Sequence, residues 1–251
     1  MSGSNINVVL ALMIIGSFLV AIILHECGHA LVASWLGDPT PRREGRLSFN
    51  LLSHLDPVGT LLAVILAFLP VGAGPVGLGW GKPVKSDPWK LRGGPNAGTL
   101  FVAIGGIVTS LVVGLIFAVV LRFVIPLIPS NAIALRLPQL ITVFASVNIS
   151  LAIFNILPLY PLDGYQILYT LLPSRQAMQF ARSAPYGPFI ILALLFLLPF
   201  LGQLSGLGNF FLFHIPYYIL LGSFNIIAAV SGLQVDIVTF LYVFNLINLL
   251  K

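Results

Sequence analysis

Of 251 residues only one is cysteine, only 8% are charged, and just seven are acidic. A single cysteine excludes an internal disulfide. So little charge, beside 58% hydrophobic residues and a mean hydropathy of +1.04, excludes an ordinary water-soluble globular domain. Internal repeats, low-complexity tracts and base-reading motifs are absent too. The +5 formal charge, from 12 Lys and Arg against 7 Asp and Glu, therefore reads as membrane orientation and not as nucleic-acid binding. Residues 1–7 lack a basic region, so the apolar run that follows is expected to stay as a helix and not to be removed as a signal peptide.

What is present is a set of long uncharged runs, and about 20 apolar residues span a bilayer. The expected fold is an all-α polytopic membrane protein of about five to six transmembrane helices. The first covers roughly 8–36, a second 99–126, closed by Pro126 and Pro129, and a third runs from about 139 towards 160. Two more lie near 187–201 and 210–231, and an apolar tail over 236–250 is expected along the interface. The whole chain, 1–251, reads as one domain, with a core over about 8–185 followed by C-terminal helices over about 186–251.

The stretch between Asp56 and Lys82 is different. Its dense apolar part is only Leu61 to Leu69, after which Pro70, Gly72, Gly74, Pro75, Gly77, Gly79 and Gly81 interrupt it. That composition suits a re-entrant element better than a full span. Charge counting agrees. With a re-entrant element, Arg42, Arg43, Arg46, Lys82, Lys85, Lys90, Arg92, Arg175, Arg182 and Lys251 share one side, ten against Arg122 and Arg136; with a full span the split is seven against five. The positive-inside rule places the large basic loops in the cytoplasm.

Inside the first run stands His25-Glu26-Cys27-Gly28-His29. On a helix the two histidines fall at i and i+4, one turn apart on one face, as two zinc ligands require, with Glu26 close enough to activate a water. A buried structural histidine is the ordinary explanation of an isolated His. Here, however, two His and one Glu are the only charged or readily charged side chains before Asp38, and ionisable groups at membrane depth mark functional sites. Cys27 lies off the His25/His29 face and reads as filler. A second motif, Asn155-Ile-Leu-Pro158-Leu-Tyr-Pro161-Leu162-Asp163-Gly164, carries the only acidic residue between Asp87 and Asp236, next to prolines that should unwind the helix. A third zinc ligand fits at Asp163, with a fourth position open. Meeting the histidines requires the first and third runs to be parallel, which the re-entrant arrangement supplies.

These paired motifs resemble the site-2 protease family of intramembrane zinc metalloproteases. Gly45-Arg-Leu-Ser-Phe-Asn50 leading to His54-Leu-Asp56-Pro57-Val-Gly59-Thr60, and Gly79-Trp80-Gly81-Lys82-Pro83-Val84 with Asp87-Pro88, are similar to a compact prokaryotic branch without PDZ or CBS domains. The resemblance covers about 20–185. It implies one Zn2+ held by His25, His29 and Asp163, Glu26 as general base, and Asn155 contacting substrate or the developing oxyanion. It further implies transmembrane protein substrates, a multi-pass location in a prokaryotic cell membrane, and regulation, where it occurs, by a separate protein. One departure stands out: where the family commonly has G-P-x-x-N, this chain reads Gly106-Ile-Val-Thr-Ser110.

The loops carry further expectations. Arg46 to Asn50 alternates polar and apolar, and with Lys82 to Ser86 is expected to form a small β element whose edge pairs with an extended substrate. The broken 72–81 and 158–164 stretches are expected to line a water path. His54 and Asp56 read as turn residues, His214 as interfacial beside Tyr217 and Tyr218, and Asn148 as a polar contact on the face of Asn155. A zinc-binding transporter and a non-catalytic homologue are the alternatives. A transporter is expected to show repeat symmetry, and the Glu26 of a working enzyme is present.

Overall fold

The computed structural model describes residues 8–68, 76–128, 136–205 and 210–233. Within them the chain is helical: α1 Val8–Trp35, α2 Thr40–Arg43, α3 Leu51–His54, α4 Pro57–Phe68, α5 Pro95–Val124, α6 Arg136–Asn155, α7 Asp163–Leu171, α8 Ser174–Ala181, α9 Gly187–Leu192, α10 Leu198–Ser205 and α11 Ile215–Ser231. A π-helical turn, Ala193–Leu197, joins α9 to α10. Among the described residues five segments are long and apolar enough to cross a membrane: Val8–Trp35, Pro95–Leu127, Arg136–Asn155, Ser174–Gly202 and Phe211–Ser231. The protein is an all-α polytopic membrane protein. The expected tail over 236–250, like Pro70, Gly72, Gly74, Pro75 and Pro129, lies outside the described residues.

The helices sort by burial. In α6 78% of its most apolar window is buried, against 22% for Ser174–Gly202, so α6 is the central post and the latter a peripheral one. Around α6 pack α1, α5 and α11. Leu10, Ile14 and Phe18 of α1 meet Val143, Val147 and Leu151 of α6, while Ala118 and Leu121 of α5 meet Ala145 and Ile149. Between helices in lipid, close approach depends on small residues. A Cβ on Gly28 of α1 would collide with the Thr109 side chain and the Gly105 carbonyl of α5, so the glycine of the H-E-x-x-H motif sets the α1–α5 crossing.

Of the stretch from 57 to 82, the described parts 57–68 and 76–82 start and finish beside each other, at His54 and Leu55. At about 1.5 Å per residue, the 12 residues of α4 reach about 18 Å, well short of a bilayer's roughly 30 Å core. The returning chain then lies along α4: Val76 N–H donates to Leu66 O, Gly81 forms an antiparallel bridge with Leu55, and Lys82 N–H donates to His54 O at 2.7 Å. A Cβ on Gly59 would strike the Trp80 carbonyl, and one on Gly79 the Gly59 carbonyl. Glycine is what lets backbone run flush against helix here.

The expected β element is corrected. Among the described residues there is no strand, only the single Leu55–Gly81 bridge. The cause is Arg46, whose guanidinium donates to the carbonyls of Ser53, Lys82 and Pro83, taking acceptors that a strand pair would use. Pro83 has no N–H to contribute. Residues 46–50 curl instead, with Ser48 Oγ donating to Gly45 O and Asn50 capping α3 by accepting from Leu52 N–H.

Helix boundaries differ from expectation where local chemistry decides them. Pro95 follows Gly94, whose φ of 90° is open to glycine, so α5 starts four residues earlier than its apolar run. Helix α6 ends at Asn155 and α7 begins at Asp163, leaving residues 156–162 as the non-helical turn that Pro158 and Pro161 predict.

Candidate active site

Helix α1 carries His25, Glu26 and His29 on its inward face, all under 8% exposed. The turn after α6 brings Asp163, the first residue of α7, across to them. His25 Nε2 lies 3.1 Å from Asp163 Oδ2, His29 Nε2 3.1 Å from Asp163 Oδ1, and the two Nε2 atoms are 3.2 Å apart. Among the described residues these three form the one cluster of potential ligands.

The other edge of the His29 ring fixes its tautomer. His29 Nδ1 is 2.7 Å from the Val102 carbonyl, which can only accept, so Nδ1 carries the proton and the Nε2 lone pair points inward. His25 Nδ1 is 2.9 Å from Ser110 Oγ. Two Nε2 atoms and a carboxylate facing one another at about 3 Å repel unless a cation or a shared proton lies among them. Donors about 2.0–2.2 Å from a tetrahedral zinc sit roughly 3.3 Å apart, close to the separations seen, so the donor set fits zinc. Gly106 faces the same point, where a Cβ would clash with both Nε2 atoms.

Glu26 is 4% exposed, and among the described residues its Oε2 has no hydrogen-bond partner. Gly81, from the re-entrant return, packs on it so closely that a Cβ there would come within 2.5 Å of Oε1. These groups line a cavity of about 530 Å³. Its walls are Trp80 and Gly81, the loop residues Val84 to Ser86, and Tyr160 to Leu162, so the broken segments do border the space around the histidines. Asn155 lines it too, with Nδ2 donating to Leu151 O at 2.9 Å.

Other polar residues have structural partners. Cys27 Sγ donates to Arg46 O at 3.4 Å, away from the ligand cluster. His54 Nε2 donates to Ser48 O, and Asp56 Oδ1 accepts from Val58 and Gly59 N–H at the start of α4. Asn148 donates back to Phe144 O. His214 stacks edge-on with Tyr217 and Tyr218.

Sequence reasoning did not find the contacts of Ser110, Val102 and Gly106, all on α5. Ser110 was visible only as the odd residue of its motif, and nothing local reveals a partner 85 residues away. Asp38, wholly buried, accepts from Thr40 N–H and Asp87 N–H. Burial opposes its charge, but the hydrogen bonds from Thr40 and Asp87, with Lys90 nearby, hold its carboxyl below the ordinary value.

Comparison with known proteins adds an independent finding. Residues 13–198 match the description of Peptidase family M50. The chain is also 34% identical over 185 residues, 73% of its own length and 79% of the relative's, to a Bacillus subtilis (strain 168) protein named "Putative zinc metalloprotease YwhC". No solved structure matches it. With a family match over most of its length and that degree of identity, the chain belongs to peptidase family M50, the site-2 protease family that its motifs resemble.

Proposed function

We propose that the protein is an intramembrane zinc metallopeptidase that hydrolyses peptide bonds in or near transmembrane segments of other membrane proteins. The observation that carries this is the convergence of His25, His29 and Asp163 beside Glu26, in a cavity lined by α1, α5 and the loops at 80–88 and 160–162. His25, His29 and Asp163 hold the ion. Zinc, when bound, supplies Lewis acidity towards a carbonyl oxygen and a water molecule.

The chain's own residues do the rest. Glu26 takes the proton of the attacking water on its carboxylate and hands it to the leaving amine, and its burial against Gly81 keeps it from competing partners. The amide of Asn155, held at the cavity wall by its bond to Leu151, has a second N–H to donate to the substrate carbonyl as charge develops on it. A helical substrate offers no free amide, so it enters locally unwound. Val84, Lys85 and Ser86 offer it, along one wall, backbone that no described residue hydrogen-bonds.

Location and orientation follow the same reading: a multi-pass protein of a prokaryotic cell membrane, with the basic loops in the cytoplasm. The five apolar helices support a multi-pass location, and the relative's bacterial source supports a prokaryotic one. Regulation, on this reading, comes from a separate protein. Mass-spectrometric mapping of the cut in a single-span reporter tests the substrate class: cleavage within or at the edge of the apolar span is expected, and cleavage confined to a soluble linker contradicts it.

A further inference from the structure

The cavity wall between Lys82 and Asp87 is held at both ends by buried ionic side chains; in the middle the exposed Lys85 ammonium reaches Glu44 at 3.8 Å, and the backbone is left open. At one end Arg46, 3% exposed, donates to Lys82 O at 3.0 Å and Pro83 O at 3.1 Å, and ties both to Ser53 O at 2.6 Å. At the other end Asp38, 0% exposed, accepts from Asp87 N–H at 2.6 Å. Asp87 in turn accepts from Trp89 N–H and pairs with Lys90 at 2.9 Å, closing that corner. Between the anchors, no described residue hydrogen-bonds the backbone of Val84, Lys85 or Ser86. All three line the cavity that holds Glu26.

Charged groups are costly to bury unless they are paired and hydrogen-bonded; Arg46 has a carboxylate, Glu44, only at 4.0 Å and Asp38 is met by backbone N–H groups, so a buried Arg and Asp aimed mainly at backbone atoms need a reason. The two anchors come from different parts of the chain, the α2–α3 loop and the corner after α1. Both end on the same six-residue strip. The strip itself makes no ladder that would fix it: Pro83 has no N–H, Lys82 spends its own on His54 O, and Arg46 occupies the carbonyls of both. Without the anchors, a three-residue stretch with unpaired backbone would be a flexible loop and would lose entropy on pairing with a partner.

We propose that Arg46 and Asp38 are positioning residues that hold Val84–Ser86 extended and facing the cavity, as a preformed backbone edge on which an unwound substrate pairs. The proposal rests on the peptidase reading above and specifies its substrate contact: main-chain amides of the substrate close to the scissile bond, largely independent of side chain. Neither residue touches the reacting atoms. Their effect falls on substrate binding, through the edge.

The test uses the full-length, zinc-loaded protein in detergent and semi-synthetic single-span reporters in which one backbone amide at a time is replaced by an ester. An ester removes a single N–H donor. In the unmodified protein, one or two esters within a few residues of the cut are expected to raise KM roughly three- to tenfold with kcat little changed, as loss of one hydrogen bond implies. In Arg46→Lys and in Asp38→Ala, KM for the all-amide reporter rises by about the same factor, the ester penalty shrinks towards onefold, and zinc content is unchanged. A merely structural role would leave the ester penalty intact. The proposal is overturned if no ester affects KM in the unmodified protein, or if the penalty persists in full in a variant that keeps its zinc. Should Arg46→Lys fail to fold, Asp38→Ala decides alone, since it frees the opposite end of the strip. Failure of the underlying reading is distinct: the unmodified, zinc-loaded protein would then cleave no reporter at all.

Discussion

Replacing Ser110 by Ala deletes one oxygen atom, 2.9 Å from His25 Nδ1, and nothing else near the ligand cluster. Ser110 is fully buried, and His25 keeps a second α5 partner, the Gly106 carbonyl, when the hydroxyl is removed. What is lost is one hydrogen bond of two, about 0.5–1.5 kcal/mol. The partners behind metal-bound histidines orient the ring and contribute to metal affinity. At about 1.4 kcal/mol per factor of ten, the loss corresponds to roughly 2- to 12-fold. Ser110→Ala is therefore expected to weaken zinc binding by about 3- to 10-fold, read by competition with a chelator of known affinity, while helical content by circular dichroism stays unchanged. His29 keeps its own acceptor, the Val102 carbonyl, so binding is weakened and not abolished. Zinc affinity within twofold of the unmodified protein would refute the claim that Ser110 orients a ligand.

Further outcomes follow from the same geometry. Gly106→Ala places a methyl on both Nε2 atoms and is expected to eliminate zinc from the purified protein, measured by elemental analysis, even where the protein remains folded. Gly59→Ala forces the re-entrant return away from α4, and a loss of thermal stability of at least about 1–3 kcal/mol is expected from overpacking. Asp38 has a carboxyl pKa held below its ordinary value, so its charge stabilises the fold above the unfolded-state pKa and that contribution disappears as pH falls through the lower folded-state value. Removing it should shrink the difference in stability between neutral and strongly acidic pH, seen in melting curves of Asp38→Ala against the unmodified protein.

Much of this was legible in the sequence because hydropathy and i, i+4 spacing are local. The five long helices, the two histidines and the glutamate of α1, and the unwound turn before Asp163 all follow from runs, prolines and periodicity. The re-entrant path was reachable by charge counting, since a dozen basic residues divide far more unevenly with it than without it. Long-range partners were not legible. That Ser110 and the Val102 carbonyl stand behind the histidines depends on the depth at which α5 crosses α1, which Gly28 and Gly105 set through packing. The β element failed for a related reason: alternation over 46–50 looks like a strand, but periodicity is blind to an arginine that curls back and takes the carbonyls of the would-be partner. Arg46 and Asp38 look like ordinary loop charges until their burial is seen.

The most direct test of the central claim is cleavage of a single-span reporter by the purified, full-length protein and by Glu26→Gln, with the zinc content of both measured on the same samples. One zinc per chain in each, with cleavage by the unmodified protein and a fall of at least about 100-fold in Glu26→Gln, is the expected result. Cleavage undiminished in Glu26→Gln, or no zinc in the active protein, would contradict it.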